Sequence, residues 1–125
     1  MREKQPDKKN ARSMLEAANR DMRYTLSLEV SEDAAATIAR NIYECFRMLE
    51  NALLMGRGVV ADDHIEQIRA LLVLDVETSR PLGAIEKLRK LRHNVNYNGY
   101  TPTMAEVHDA LDVANACFHP LSKQI

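Results

Sequence analysis

The sequence predicts an all-α fold, an up-and-down antiparallel bundle of four to five helices, and three features predict it. Only 4 Gly and 4 Pro interrupt 125 residues, and the stretches between them are rich in Ala, Leu, Glu, Lys and Arg, which favour helix. Apolar residues recur at intervals of three and four, the period of one helical face. Strand-like alternation is absent. Hydrophobic residues make up 46% of the chain and charged residues 28%, a balance that supports a packed core rather than disorder. A chain of this size can bury about two-thirds of its unfolded surface in one core. The expected organisation is one helical bundle over residues 11–120, between a flexible tail of residues 1–10 and a short C-terminal tail of residues 121–125.

The first helix should run from Lys8 to Leu28, with Leu15, Ala18, Met22, Thr25 and Leu26 on one face. Ser31 is a good N-cap, and Glu32 and Asp33 complement the dipole of a second helix from Glu32 to Met55. Gly56 stands where a left-handed terminating residue is wanted. Asp62 or Asp63 should cap a third helix carrying Ile65, Ile68, Leu71, Leu72 and Val76. Thr78-Ser79-Arg80-Pro81 reads as a stop and restart, leading to a fourth helix from Pro81 to Asn94. Its apolar stripe is Ile85, Leu88, Leu91 and Val95, with Arg92 beside it, and Asn96 to Gly99 form a turn. Thr103 and Glu106 form a capping box for a fifth helix that Pro120 should end. Ile38, Ile42, Phe46, Leu49, Leu53, Leu72, Leu88 and Leu111 should share one core.

Charge narrows the function. A net charge of −1 argues against a protein that coats nucleic acid with its whole surface. The basic residues are unevenly placed, however: Arg80, Lys87, Arg89, Lys90 and Arg92 face only Glu86 across residues 80–92. The longest apolar run, Ala70 to Leu74, is far short of the ~20 residues that span a bilayer, and Met1 to Asn10 lack the apolar core of a signal peptide. A cytoplasmic protein with no membrane partner is expected. Cys45 and Cys117 form no Cys-x-x-Cys pair and are expected to be buried reduced thiols. His64 beside Asp62 and Asp63 lacks a second His or Cys at ligand spacing, so no metal site and no cofactor are expected.

The densest cluster of chemistry-bearing groups is Leu88 to Tyr100. Arg89, Arg92 and His93 fall at i, i+3 and i+4 and are expected to share a face. A guanidinium can grip phosphate in a two-pronged contact, an imidazole can move protons near neutral pH, and Asn or Tyr can bond to or stack on bases. The candidate nucleic-acid contacts are therefore Arg89, Lys90, Arg92 and Asn96. The same residues also suit a plain helix end, where cations complement the dipole and Asn-Gly terminates the helix.

In order along the chain, Ile42-Tyr43-Glu44, Ala52 to Gly56, Asp63-His64, Leu88 to Asn94, Asn96-Tyr97 and an Ala-rich last helix together resemble the HEPN family. These are the higher eukaryotic and prokaryotic nucleotide-binding helical domains, and the likeness is to the small single-domain prokaryotic type. It spans about Ala11 to Phe118. It implies a helical bundle, homodimerisation that brings two copies of the Arg92 segment together, and RNA or a nucleotide as ligand. It also implies a nucleotidyltransferase-type partner in a toxin–antitoxin or defence pair. Catalytic members cleave RNA without metal, using an arginine, a polar residue and a histidine four to six residues on. Arg92 and His93 match the first two positions, but Tyr97 stands at the histidine position, and a phenol of ordinary pKa is only about one part in a thousand ionised at pH 7. The resemblance thus implies an RNA- or nucleotide-binding module first, and second a metal-independent ribonuclease with a composite site at the dimer interface and Arg92, His93 and Tyr97 as its candidate catalytic groups.

Overall fold

The longest apolar stripe in the chain becomes the central element. In the computed structural model, which describes residues 2–3, 5–60 and 68–125, helix α2 (Ala35–Arg57) buries Ile38, Ile42, Cys45, Phe46, Leu49 and Leu53 at helical spacing. It contacts all four other helices, namely α1 (Lys8–Leu26), α3 (Arg69–Leu72), α4 (Ala84–Asn98) and α5 (Met104–Gln124). The fold is a helical bundle around α2. Pairings along the helices show two antiparallel contacts. Asp7 at the start of α1 donates its backbone N–H to Met55 O near the end of α2 at 2.9 Å, and Arg40 and Glu44 of α2 meet Asn96 and Arg92 of α4 in reverse order.

Of the expected core, Ile38, Ile42, Phe46, Leu49, Leu53 and Leu88 are buried, whereas Leu72 and Leu111 are partly buried at its margin. The Thr103 capping box is present: Thr103 Oγ1 accepts the Glu106 N–H at 3.1 Å, and Glu106 Oε1 accepts the Thr103 N–H at 2.9 Å. Those two bonds satisfy backbone donors at the start of α5.

The boundaries differ from expectation in ways that packing explains. Residues 1–10 are not simply a tail, because Asp7 caps α1 through Asn10 N–H at 3.0 Å, and Arg2–Glu3 pairs antiparallel with Val59–Val60 as a two-residue ladder, β1 with β2. The chain is also helical beyond Gly56; Gly58, at φ 71°, is the left-handed residue, and its N–H reaches the Leu54 and Met55 carbonyls. Likewise α4 runs on to Asn98, and Gly99, at φ 63°, ends it. Pro120 does not end α5, nor are residues 121–125 a tail. Leu121 is fully buried and Ser122 Oγ donates to Asn19 Oδ1 of α1 at 3.0 Å, so contacts in the final turn outweigh the one backbone bond that proline deletes. The third helix is a single turn, Arg69–Leu72; Asp62, Asp63, His64 and Ile65, expected to open it, lie outside the described residues.

Gly56 offers a stability test. It lies within α2, and a Cβ built on it would meet Ala11 Cβ of α1 at 3.8 Å, an ordinary contact. Gly56→Ala should therefore raise stability by about 0.5–1 kcal/mol, measured by urea unfolding. A loss instead would mean that α1 and α2 approach more closely there than this contact allows.

Candidate nucleic-acid interface

Helix α4 positions the candidate site, and its residue order decides which side chains reach solvent. Ile85, Leu88, Arg92 and Val95 follow intervals of three, four and three, and all four are buried. Arg92 thus occupies the apolar stripe itself, while Leu91, assigned to the stripe from the sequence, is only half-buried. The Arg92 side chain is 5% exposed; its Nη2 lies 3.4 Å from Glu44 Oε1, and its guanidinium carbon sits 4.9 Å from the centre of the Tyr43 ring. Tyr43 and Glu44 are consecutive on α2, so one side chain covers the face of the guanidinium and the next faces its charge.

The remaining candidates separate around the helix. Arg89 is held by Glu86 one turn earlier, with Nη2 to Oε1 at 2.5 Å. Asn96 accepts the Arg40 Nε–H at 2.8 Å and ties α4 to α2. Lys90, His93, Asn94 and Tyr97 point outward, sharing a face at i, i+3, i+4 and i+7. The His93 and Tyr97 rings lie with centroids 4.8 Å apart, tilted by 42°, and Tyr97 is 68% exposed. The expected common face of Arg89, Arg92 and His93 is therefore divided: Arg92 points into the bundle and His93 into solvent. No sequence signal marked Arg40 or paired Glu44 with Arg92, and Tyr43 at helical spacing pointed to the core rather than to a guanidinium. The available signal was the spacing of Arg92 from Leu88 and Val95, which places it on the buried side.

No family model, curated protein or solved structure matches this chain.

Elsewhere, both cysteines are buried and free. Burial above all, with Asp21 and Glu44 nearby, pushes the Cys45 thiol up to about 12, and burial likewise raises Cys117; both are protonated and unreactive at neutral pH. His108 and His119 are exposed on α5. Among the described residues, no group of three His, Cys, Asp or Glu side chains is placed to hold a metal ion, and no helix is long and apolar enough to cross a membrane.

No sequence signal marked Glu50, a buried carboxylate, 3% exposed, that accepts the Ala70 N–H at 3.2 Å. Burial raises its pKa from 4.5 to about 7, against the opposing pull of the Ala70 amide and Arg47. Between those values the folded chain holds a proton that the unfolded chain has released, so this group's contribution to stability falls as pH rises from 4.5 and is lost above 7. Glu50→Gln keeps an acceptor for Ala70 and removes the titration. It should be more stable than the parent at pH 8, by about 1–3 kcal/mol, and show a flatter stability profile across that window. Equal profiles in urea melts at pH 5 and pH 8 would contradict this.

Proposed function

We propose that this is a HEPN-like helical protein that binds RNA or a nucleotide through the outer face of α4. One observation carries the reading: the exposed His93–Tyr97 ring pair, 4.8 Å between centroids, lies on the same helix face as Lys90, with Lys87 also exposed one turn earlier. Exposed rings offer stacking surfaces to unpaired bases, and adjacent ammonium groups attract the phosphate backbone. The inward turn of Arg92 supports binding over cleavage, because a guanidinium 5% exposed and facing Glu44 does not present its two-pronged edge to a phosphate outside. The homodimer and the nucleotidyltransferase-type partner rest on family resemblance alone. Sedimentation at micromolar concentration tests the first of these.

Binding is tested by anisotropy of a labelled single-stranded RNA in EDTA. Tyr97→Ala should weaken binding by about five- to a hundredfold, the worth of one stacked base, while Tyr97→Phe keeps most of it because the ring remains. Lys90→Ala should weaken binding across sequences and lower the salt slope by about one. Both residues are exposed, so neither change should unfold the chain. An RNA that stays intact and bound, and responds in this order, supports the proposal. Parent protein that fails to bind, or variants that all bind as the parent does, overturns it.

A further inference from the structure

A second feature lies toward the other end of α2. Where the first turns of α1 meet the last turns of α2 and α5, a cleft of about 410 Å³ opens to solvent, a size typical of small-ligand pockets. Leu53 and Leu15, with Ala11 and Ala52, supply its aliphatic floor, and Lys8, Arg12 and Arg57 stand among its lining residues. Among the described residues, no lining side chain is acidic or aromatic. All three cations are exposed, and none forms an ion pair with another described residue. Eight residues separate Glu44 from Ala52, about 12 Å along the helix, so this cleft is distinct from the α4 face.

We infer that the cleft binds a small amphiphilic anion whose aliphatic tail lies on the Leu15–Leu53 floor and whose head group lies among Lys8, Arg12 and Arg57; the class is a medium-chain alkyl carboxylate. The combination of surfaces selects it. An aliphatic floor removes a hydrocarbon chain from water, Lys8, Arg12 and Arg57 outnumber the single main-chain carboxylate of Ile125 in the lining and favour an anion over a neutral or cationic head, and no aromatic side chain among the described lining residues offers a stacking surface to a nucleobase. The inference does not rest on the RNA-binding proposal, since it uses no residue of α4.

Calorimetric titration of the intact protein with octanoate, decanoate and dodecanoate, below their micelle thresholds, tests it. Affinity should rise with chain length by up to about fourfold per methylene. An alkyl trimethylammonium of equal chain length should bind at least tenfold more weakly. The Arg12→Glu/Arg57→Glu pair should reduce decanoate affinity tenfold or more, with unchanged urea unfolding. Arg12→Gln should give a smaller loss in the same direction. Backbone amide shifts on adding decanoate should concentrate at Ala11, Leu15, Ala52 and Leu53. No amide shifts from decanoate at about 1 mM, equal affinity for the cationic amphiphile, or shifts centred on another surface would each overturn the assignment.

Discussion

Phe46→Ala should lower the unfolding free energy by about 3–5 kcal/mol, the cost of removing a buried aromatic ring and leaving its cavity. The ring is fully buried and meets Phe118 of α5 edge to face, with centroids 5.5 Å apart and planes at 70°. That geometry adds about 0.5–1.5 kcal/mol beyond simple burial. Phe46 also lies on the helix that contacts all the others, so the vacated space cannot be closed by moving one neighbour. With total stabilities of about 5–15 kcal/mol usual for a domain, the variant should show a markedly lower urea midpoint and little change in slope. Phe46→Leu should recover more than half of the loss. A cost below about 1 kcal/mol for alanine would mean that the α2–α5 contact is not part of the cooperative core.

Arg92 should give the second-largest effect, and the order of its variants matters more than the size. Arg92→Ala removes a nearly buried side chain and its contact with the Tyr43 ring, for a loss of about 2–4 kcal/mol. The loss stays below that of stranding a fully buried partner, because the Glu44 side chain is 42% exposed and can be hydrated again. Arg92→Met fills a similar volume without a charge to desolvate and should cost less than about 1.5 kcal/mol. Arg92→Lys keeps the charge but loses the flat face that lies on Tyr43, and buries a more strongly hydrated ammonium; it should be less stable than the methionine variant. If lysine serves better than methionine, Arg92 faces solvent and acts through charge alone. Folded Arg92→Met should bind RNA nearly as the parent does, whereas a direct phosphate contact would show as a large loss of affinity at unchanged stability.

Much of the bundle was legible because helical spacing and caps are local. Ile38, Ile42, Phe46 and Leu49 recur at the interval that makes one face, and Thr103 with Glu106 lies within one turn, so the stripe of α2 and the start of α5 needed no knowledge of their neighbours, although α2 begins at Ala35 without a side-chain cap rather than at Glu32 behind Ser31. The ends were less legible. Gly58 rather than Gly56 closes α2, because two glycines two residues apart are equally able to adopt a left-handed conformation and the contacts of Asp7 with Met55 and of Ala11 beside Gly56 carry the helix further. Pro120 remained inside α5 for a similar reason: its local penalty is visible in the sequence, while the burial of Leu121 and the Ser122–Asn19 bond that offset it depend on a helix a hundred residues away.

For the candidate site, the sequence by itself determined that a basic, ring-bearing segment lies at a helix end, since composition and spacing are local, but it placed that end at Asn94, whereas the helix runs to Asn98 and Gly99 closes it at φ 63°. Only the tertiary structure decided which of its groups face outward. Arg92 lies on the buried side of α4 and meets Tyr43 and Glu44, nearly fifty residues earlier, while His93 and Tyr97 remain at the surface. A long cationic side chain at the edge of an apolar stripe can extend to water or fold against a neighbouring helix, and the outcome depends on whether that neighbour offers a carboxylate and an aromatic face at the right height.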